Sequence, residues 1–220
     1  WTMCWDDIGL AVITKIAMLT GQTQYVNVVE DNLNYWMNTL TTTPGGLKYL
    51  SNWGVLRYAT AESMIALLYY GHTGRSEYLS FAKSQVDYCF TRSLSYVIGH
   101  GSNYPLHPHH RAANGYTYAN GDNQLPAQYL LLGALVGGPD QSDNYIDDVN
   151  QFQYTEVAID YNAGFVGALA GMITYSGGNL TPAPTAVTTT APTTAPTVAP
   201  TSAPTSRSAG ATPRPRPSTA

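Results

Sequence analysis

The chain contains 220 residues, of which 44% are hydrophobic and 11% are charged, and its formal net charge is −4. That length and hydrophobic content are typical of one packed domain with an appendage. No apolar run reaches the roughly 18 residues that a membrane-spanning helix needs, so no membrane partner is expected.

Acidic residues dominate the first part of the chain. All 14 Asp and Glu residues precede residue 177, whereas three of the ten Lys and Arg residues follow it. Residues 1–178 therefore combine seven basic with 14 acidic residues, a net charge of −7. Because such a body repels phosphate backbones and has no basic stripe, we expect no nucleic-acid partner.

Four helices are predicted in the first 90 residues, where apolar residues recur at helical spacing. The third is expected to end near Gly71, and Trp36 is expected in the core. The four stripes are Ile8, Ala11, Val12, Ile16 and Leu19; Val26, Val29, Leu33, Trp36, Met37 and Leu40; Ala61, Met64, Ile65 and Leu68; and Tyr78, Phe81, Ala82, Val86 and Cys89.

The two helix pairs have similar connections. Thr20-Gly21-x-Thr23-x-Tyr25 in the first pair is repeated as Thr73-Gly74-x-Ser76-x-Tyr78 in the second. Each connection has a glycine to end one helix and Thr23 or Ser76 to cap the next. This repeat of helical hairpins predicts an all-α fold arranged as a toroid.

Two later helices are predicted, from Pro126 to Val136 and from Thr155 to Tyr175. Long loops at 41–57, 92–125 and 137–153 hold nearly all of the unusual residues, and loops of that length usually carry function. The resulting three hairpins would make half of a six-hairpin ring.

Residues from about Gly177 onward are mostly Thr, Pro, Ala and Ser. Such a segment cannot offset its ordering entropy by burying apolar surface, so 179–220 is expected to be a disordered linker. Its Thr/Pro repeats and the sequon at Asn179 are typical of glycosylated extracellular linkers, which indicates secretion. Cys4 and Cys89 either form a disulfide or remain buried thiols.

The segment 101–111 concentrates histidine and arginine at the end of a loop. His109 and Arg111 lie two residues apart, where both side chains could donate hydrogen bonds to sugar hydroxyls. Metal binding is the alternative, but the spacing fits no standard zinc pattern and no cysteine joins the cluster. The crowded histidines are His100, His107, His109 and His110.

The segment 145–165 runs from a carboxylate-rich loop into an apolar helix. Glu156 is expected in the first turn of that helix, among Phe152, Tyr154 and Val157. A carboxyl group flanked by aromatic residues can stay protonated and act as a general acid, which glycosidic cleavage requires. The alternative is that Glu156 only complements the dipole at the helix amino terminus.

Together these segments resemble the paired signature motifs of glycoside hydrolase family 9, the endoglucanases that cut β-1,4-glucan. The likeness extends to Trp5-Asp6-Asp7, Pro44-Gly45-Gly46-Leu47 and the segment 53–60. The matching motif positions are Gly101, Asn103, Pro108, His109 and Arg111 in the first segment, and Tyr145, Asp147, Phe152, Glu156, Ala158, Asn162 and Ala163 in the second.

The resemblance implies an (α/α)6 toroid, of which residues 1–178 supply roughly the second half of the catalytic domain. It implies an enzyme that hydrolyses internal bonds of cellulose or a related β-1,4-glucan with inversion, requires no cofactor and is monomeric when complete. Family members often carry a structural calcium, but the loops have no clear oxygen-ligand spacing.

The resemblance also implies residue roles. Glu156 would be the general acid, Asp147 the second signature carboxylate and His109 a third catalytic residue. Flat indole faces suit pyranose rings, while Arg and His suit their hydroxyl edges. The implied substrate-binding residues are Arg111, Arg57, Trp53, Tyr161, Trp1 and Asp6. Asp148 and Asp160 are interpreted as helix-cap or surface carboxylates, and Trp5 is left open between core and cleft.

Inversion needs a second carboxylate roughly 6.5–9.5 Å from the acid. In family 9 this base belongs to an Asp-Ala-Gly-Asp type segment of the amino-terminal half, and the sequence has no counterpart. We therefore expect the base to lie upstream and the chain to be partial. Alone, it should be inactive on cellulose and should aggregate through exposed apolar helix faces.

A non-catalytic glucan-binding module is the alternative function, which would keep the aromatic residues, His109 and Arg111 without needing Glu156. Another helical toroid acting on sugars, such as an epimerase or a lyase, would not be expected to reproduce both motifs. The linker is expected to tether a cellulose-binding module or simply to extend the enzyme.

Overall fold

The computed structural model describes residues 1–90, 93–115 and 127–175, so the predicted linker and its sequon lie outside the described residues. Within those ranges, isolated bridges are the only β-structure, and the all-α class is confirmed. The helices are α1 (Gly9–Thr20), α2 (Thr23–Asn34, continued by a π-helical turn, Tyr35–Thr39), α3 (Val55–Thr73), α4 (Ser76–Tyr88), α5 (Phe152–Thr155) and α6 (Ile159–Tyr175). None of these helices is long and apolar enough to span a membrane.

The two predicted hairpins are present, as α1 with α2 and α3 with α4. Both turn at a left-handed glycine, with φ of 62° at Gly21 and 72° at Gly74. The predicted caps are wrong, because Thr23 and Ser76 are already helical and neither helix has a side-chain cap. Instead the threonine before each glycine accepts a backbone N–H two residues on, at 3.2 Å from Gln22 and 3.4 Å from Arg75.

Helix α3 is the centre of the described fold. It packs against α1, α4 and α6, and most of its residues are buried. The helix ends at Thr73, two residues beyond the predicted end near Gly71, and Gly74 closes it. Small residues bring α6 close to α3, because a Cβ at Gly164 would lie 2.8 Å from the Ala61 Cα. The core of the described residues is therefore built around α3, with α6 as its closest neighbour.

The helix predicted from Pro126 to Val136 is wrong where the structure describes it. Residues 127–136 form no helix, and Pro126 itself lies outside the described residues. The backbone pairs instead with the segment 96–98, because Ile98 N donates to Ala134 O at 2.9 Å and Gly133 N donates to Ile98 O at 2.8 Å. A left-handed Gly133, with φ of 84°, permits this turn.

The helix predicted from Thr155 to Tyr175 ends at Tyr175 as predicted, but its predicted beginning is wrong. α5 ends at Thr155, and Glu156 has extended backbone angles, φ −60° and ψ 140°. α6 starts only at Ile159. Glu156 is therefore outside the first turn of α6, and the interpretation that it merely complements a helix dipole loses its basis.

The predicted apolar stripe is buried on α4, and on α2 it is buried except for the half-buried Val26 and Met37; Trp36 is fully buried as expected. The predicted buried stripe on α1 is wrong, because Ile8, Val12 and Leu19 are exposed. Thr14 and Ala17 are the buried residues of this helix. The expected exposure of apolar helix faces is confirmed on α1, and on α3 and α6 at Leu68, Ile159, Val166 and Ile173.

Cys4 and Cys89 are free thiols, which resolves the alternative that the sequence left open. The Cys4 thiol donates a hydrogen bond to Asp6 Oδ1 at 3.0 Å. Cys89 is fully buried, and this burial raises the pKa of its thiol far above the ordinary value. Neither sulfur therefore cross-links the helices.

Glu62 is a buried carboxyl group in the middle of α3. It has no exposed surface, and neither carboxyl oxygen has a hydrogen-bond partner among the described residues. Burial raises its pKa to about 8, an effect that the neighbouring Thr2 hydroxyl opposes only in part. Glu62 is therefore protonated at neutral pH in the folded protein.

The Glu62 carboxyl predicts a pH-dependent stability. Between its ordinary pKa of 4.5 and about 8, the folded protein holds a proton that the unfolded chain has released. The free energy of unfolding therefore falls as the pH rises through this window, by about 2–5 kcal/mol. Denaturant unfolding of Glu62→Gln from pH 4 to 9 should lack this component. A pH dependence equal to that of the unmodified protein would contradict the prediction.

The α3–α6 contact makes Gly164 intolerant of a side chain. Gly164→Ala should destabilise the protein by about 1–3 kcal/mol, because the new Cβ meets backbone atoms of Ala61. Gly167→Ala is the matched control on the same helix, where the new Cβ meets only the flexible Met64 side chain. Denaturant unfolding should show the larger loss at Gly164. Equal losses would mean that the close approach is not a backbone constraint.

Candidate active site

The two motif segments lie side by side. His109 N donates to Thr155 O at 2.9 Å, and His109 pairs with Glu156 in a parallel bridge. The His109 ring is held by a 2.6 Å contact between its Nδ1 and Val149 O. The loop that carries His109 and the break that carries Glu156 are thus fixed in register by backbone hydrogen bonds.

The Glu156 carboxylate is held by two donors. Trp53 Nε1 donates to Glu156 Oε2 at 2.7 Å, and the Tyr161 hydroxyl donates to the same oxygen at 2.8 Å. Trp53 comes from the loop before α3, and Tyr161 comes from the first turns of α6. These partners, rather than the expected Tyr154 and Val157, set the carboxylate's orientation.

Tyr161 is a neutral hydrogen-bond donor. Its side chain is fully buried, and burial followed by the hydrogen bond to Glu156 raises the pKa of its hydroxyl well above the ordinary value. The hydroxyl also lies against Gly54, where a Cβ would come within 2.4 Å of the oxygen. Gly54 has φ of 63°, so both its conformation and its lack of a side chain are required here.

Arg57 is enclosed by two aromatic rings and a carboxylate. Its guanidinium carbon lies 4.5 Å from the Tyr58 ring centroid and 4.8 Å from the Tyr161 centroid. It pairs with Asp160 at 3.3 Å and donates to the Tyr58 hydroxyl at 2.7 Å. Although burial opposes the charge, these neighbours raise the pKa of Arg57, so the guanidinium stays charged.

These groups line one cavity of about 580 Å³. Exposed aromatic faces stand at its edge, since Trp53 is 44% exposed and packs on Phe152, with ring centroids 4.7 Å apart. The cavity therefore combines exposed aromatic faces with a carboxylate and a fixed cation, a lining that suits a ligand with both apolar and polar surfaces. Its lining is Trp5, Ser51, Asn52, Trp53, Arg57, Tyr58, Glu156, Ala158, Asp160 and Tyr161.

Residues 1–169 match the family described as glycosyl hydrolase family 9. The chain belongs to glycosyl hydrolase family 9. It is similar to Endoglucanase A of Bacillus pumilus, at 37% identity over 201 residues that cover 84% of this chain and 30% of that protein. It is also similar to an endoglucanase of Dictyostelium discoideum, at 41% identity over 175 residues, covering 77% of this chain and 24% of that protein.

Solved structures support the same family assignment. The cellulase Cel9M of C. cellulolyticum, in complex with cellobiose, aligns with a TM-score of 0.76 at 59% identity, over 80% of this chain and 42% of that one. Endoglucanase CelQ from Clostridium thermocellum, complexed with cellobiose and cellotriose, aligns with a TM-score of 0.74 at 40% identity, over 81% and 32%. These neighbours are (α/α)6 barrels, of which this chain covers part. The chain spans less than half the length of each.

Within this family 9 fold, the structure brings together four of the residues that the sequence singled out: Glu156, Trp53, Tyr161 and Arg57. His109 lies beside them, its ring 5.8 Å from that of Phe152. Trp1 is 58% exposed, and its ring contacts that of Tyr58, which lines the cavity, in a tilted arrangement with centroids 5.5 Å apart. Asp6 and Arg111 are exposed, and neither lines the cavity around Glu156.

Asp147 does not line the cavity that contains Glu156. Its carboxylate accepts hydrogen bonds from Leu106 N at 2.8 Å and from His107 N at 3.1 Å, and its Oδ2 lies 2.9 Å from His107 Nδ1. Asp148 accepts Asn150 N and forms a surface turn as interpreted. Asp160 lies in the first turn of α6, and it also lines the cavity as the partner of Arg57.

Sequence reasoning missed Tyr58 and left Trp5 open. Tyr58 follows Arg57 in the first turn of α3 and lines the cavity, as does Trp5, which is 73% exposed. The available signal for Tyr58 was its place beside Arg57 at the start of a helix that follows a long loop. In the described ranges, no group of three or more His, Cys, Asp or Glu residues is placed to hold a metal ion.

Gly54 provides a test of this geometry. Gly54→Ala should destabilise the protein and displace the Tyr161 hydroxyl from Glu156, because a Cβ would overlap that hydroxyl. Gly21→Ala is the matched control, since Gly21 has nearly the same φ but open space around its Cβ position. Denaturant unfolding should place the loss for Gly54 at least about 1 kcal/mol above that for Gly21. Equal losses would attribute the whole effect to backbone strain.

Proposed function

We propose that this chain belongs to an endoglucanase that hydrolyses internal β-1,4-glucosidic bonds of cellulose or a related β-glucan with inversion, and that Glu156 is its general acid. The observation that carries the proposal is the placement of the Glu156 carboxyl group between Trp53 and Tyr161. The family 9 relatives named as endoglucanases, and the cellulase structures that hold cello-oligosaccharides, support the β-glucan substrate.

The two carboxyl oxygens of Glu156 have different roles in this proposal. Both described hydrogen bonds to the Glu156 side chain reach Oε2. The proton for the leaving group would then be carried on Oε1 and pass to the glycosidic oxygen as the bond between the anomeric carbon and that oxygen breaks. The Trp53 and Tyr161 donors would stabilise the carboxylate that remains on Glu156.

The other predicted residues take supporting roles in the proposal. The exposed faces of Trp53 and Trp1 suit stacking against pyranose rings, and Arg57 is fixed by Asp160 to present its charge at the cavity. His109 and Arg111 would bind sugar hydroxyls beside the scissile bond, with the His109 ring held through its contact with Val149 O. Asp6, at the Cys4 thiol, would contact a more distant glucosyl unit.

Inversion also needs a base that activates water on the opposite face of the sugar. Asp160 is committed to Arg57 and Asp147 to Leu106 and His107, so neither carboxylate is suited to this task. We propose that the base is supplied by residues outside these 220. The small share of the solved family 9 structures that this chain covers supports that view.

We also propose a domain organisation, a location and an oligomeric state for the protein. Residues 1–178 would form part of the catalytic domain. Residues 179–220 would be a linker that carries a cellulose-binding module or extends the enzyme. The protein would be secreted, would take part in cellulose degradation and would be monomeric in its complete form. Their support is the Thr/Pro-rich composition after residue 180 and the endoglucanase relatives.

Glu156→Gln tests the proposed acid in the natural full-length protein. On a soluble cellulose derivative, the variant should lose about 10²–10⁴-fold in kcat, because a neutral amide cannot deliver the proton. Asp31→Asn is the matched control, an exposed carboxylate on α2 that should keep full activity. Reducing-sugar release provides the measurement, and thermal unfolding verifies that both variants fold.

The same assay includes the 220-residue chain alone, which we expect to be inactive because the base is supplied from elsewhere. Hydrolysis by this chain alone would contradict the placement of the base. A Glu156→Gln protein within tenfold of the unmodified enzyme would contradict the assignment of the acid. A full-length protein that binds glucan without cleaving it would favour the binding-module alternative.

A further inference from the structure

The Asp147 carboxylate is a hydrogen-bond acceptor for two consecutive residues of the loop before His109. Oδ2 accepts Leu106 N at 2.8 Å and meets His107 Nδ1 at 2.9 Å, and Oδ1 accepts His107 N at 3.1 Å. The accessible fractions of the two side chains are 17% for His107 and 28% for Asp147. Three convergent contacts between partly buried groups fix the loop far more firmly than one exposed ion pair would.

The His107 ring has a defined orientation. Because an ionised carboxylate can only accept, the proton in the contact with Asp147 sits on His107 Nδ1. The other ring nitrogen, Nε2, is buried and has no hydrogen-bond partner among the described residues. A buried ring nitrogen without a hydrogen-bond partner lowers stability. Among the described residues, the contact through Nδ1 is therefore the hydrogen bond that holds the ring in this orientation.

The loop and the acid segment meet just beyond this contact. Two residues after His107, His109 N donates to Thr155 O at 2.9 Å, next to Glu156. Thr155 is fully buried, and its hydroxyl donates to Asp148 O at 3.1 Å. The turn that starts at Asp147 therefore holds the His109 loop at one end and the Glu156 segment at the other.

We propose that His107 is a positioning residue for the proposed hydrolysis, which acts through Asp147 to fix His109 relative to Glu156. Asp147 then serves as the acceptor in this contact rather than as a group that transfers protons in the reaction. The inference rests on the proposed function. It assigns a role to His107, which the sequence singled out only as one member of a histidine cluster.

Two amides separate the effect of the Nδ1 contact from that of ring removal. Asparagine can place its side-chain N–H₂ close to the position of His107 Nδ1, whereas glutamine places it farther out, near Nε2. In the full-length protein, His107→Gln should lower kcat on a soluble cellulose derivative at least about tenfold with little change in KM. His107→Asn should retain at least about fivefold more activity than His107→Gln. The thermal midpoints of both variants should stay close to that of the unmodified protein.

A double variant tests whether Asp147 has a separate catalytic role. Because His107 and Asp147 act as one pair, Asp147→Asn combined with His107→Gln should lose no more kcat than the worse single variant. Losses that multiply would give Asp147 its own role and overturn the proposal. Equal kcat for the Asn and Gln variants would also overturn it, as would a loss of activity that only follows the unfolded fraction.

Amide hydrogen exchange at His109 gives a readout that does not depend on activity. The His107–Asp147 pair is proposed to hold the hydrogen bond from the His109 amide to Thr155 O. His107→Gln should therefore speed hydrogen exchange of this amide, and exchange in His107→Asn should be slower than in His107→Gln. If the unmodified full-length protein does not hydrolyse glucan, the proposed function fails, and the exchange result still decides the positioning role. Unchanged exchange in His107→Gln would overturn that role.

Discussion

The close contact between α3 and α6 is the constraint on which the candidate site depends. Gly164 and Gly167 allow the two helices to approach until the Ala61 backbone and the Met64 side chain lie against α6. Only at that separation can Tyr161 of α6 reach past Gly54 to Glu156, while Arg57 of α3 pairs with Asp160. The packing of the two helices thus places Tyr161, Arg57 and Asp160.

The loops are tied to the same helix through its amino terminus. The first N–H groups of a helix have no intrahelical partner. In α3, Leu56 N donates to Gly137 O at 3.0 Å, and just before the helix Gly54 N donates to Gln153 O at 3.0 Å. These bonds attach the segment 137–155, which includes α5, and with it Glu156, to the beginning of α3. Trp53, which immediately precedes that point, is therefore positioned to reach the Glu156 carboxylate.

The sequence predicted best what is local and periodic. The helices α2 and α4 bury most of the apolar residues that recur at helical spacing, and the glycines at the two hairpin turns have the left-handed conformation that their position requires. The motif match also implied that Glu156 and His109 serve one site, and the structure places their segments side by side. Neither result needed knowledge of which elements pack together.

The errors arise where tertiary contacts override local preference. An apolar segment after Pro126 looks helical alone, but the described part satisfies its backbone groups against residues 96–98. Glu156 leaves the helical conformation because His109 pairs with its segment. The contact between Asp147 and His107 joins residues 40 positions apart, which no periodicity reveals. The apolar face of α1 is exposed because no described residue covers it.

The most direct test of Glu156 as the acid compares leaving groups. The rates of hydrolysis of two aryl β-cellobiosides, one with 2,4-dinitrophenol and one with phenol as leaving group, would be measured for the full-length protein and for its Glu156→Gln variant. Dinitrophenolate departs without protonation, whereas phenolate needs the acid. The account predicts that the variant loses most of its activity on the phenyl substrate and keeps much of it on the dinitrophenyl substrate. Equal losses on both would contradict a proton-donating role for Glu156.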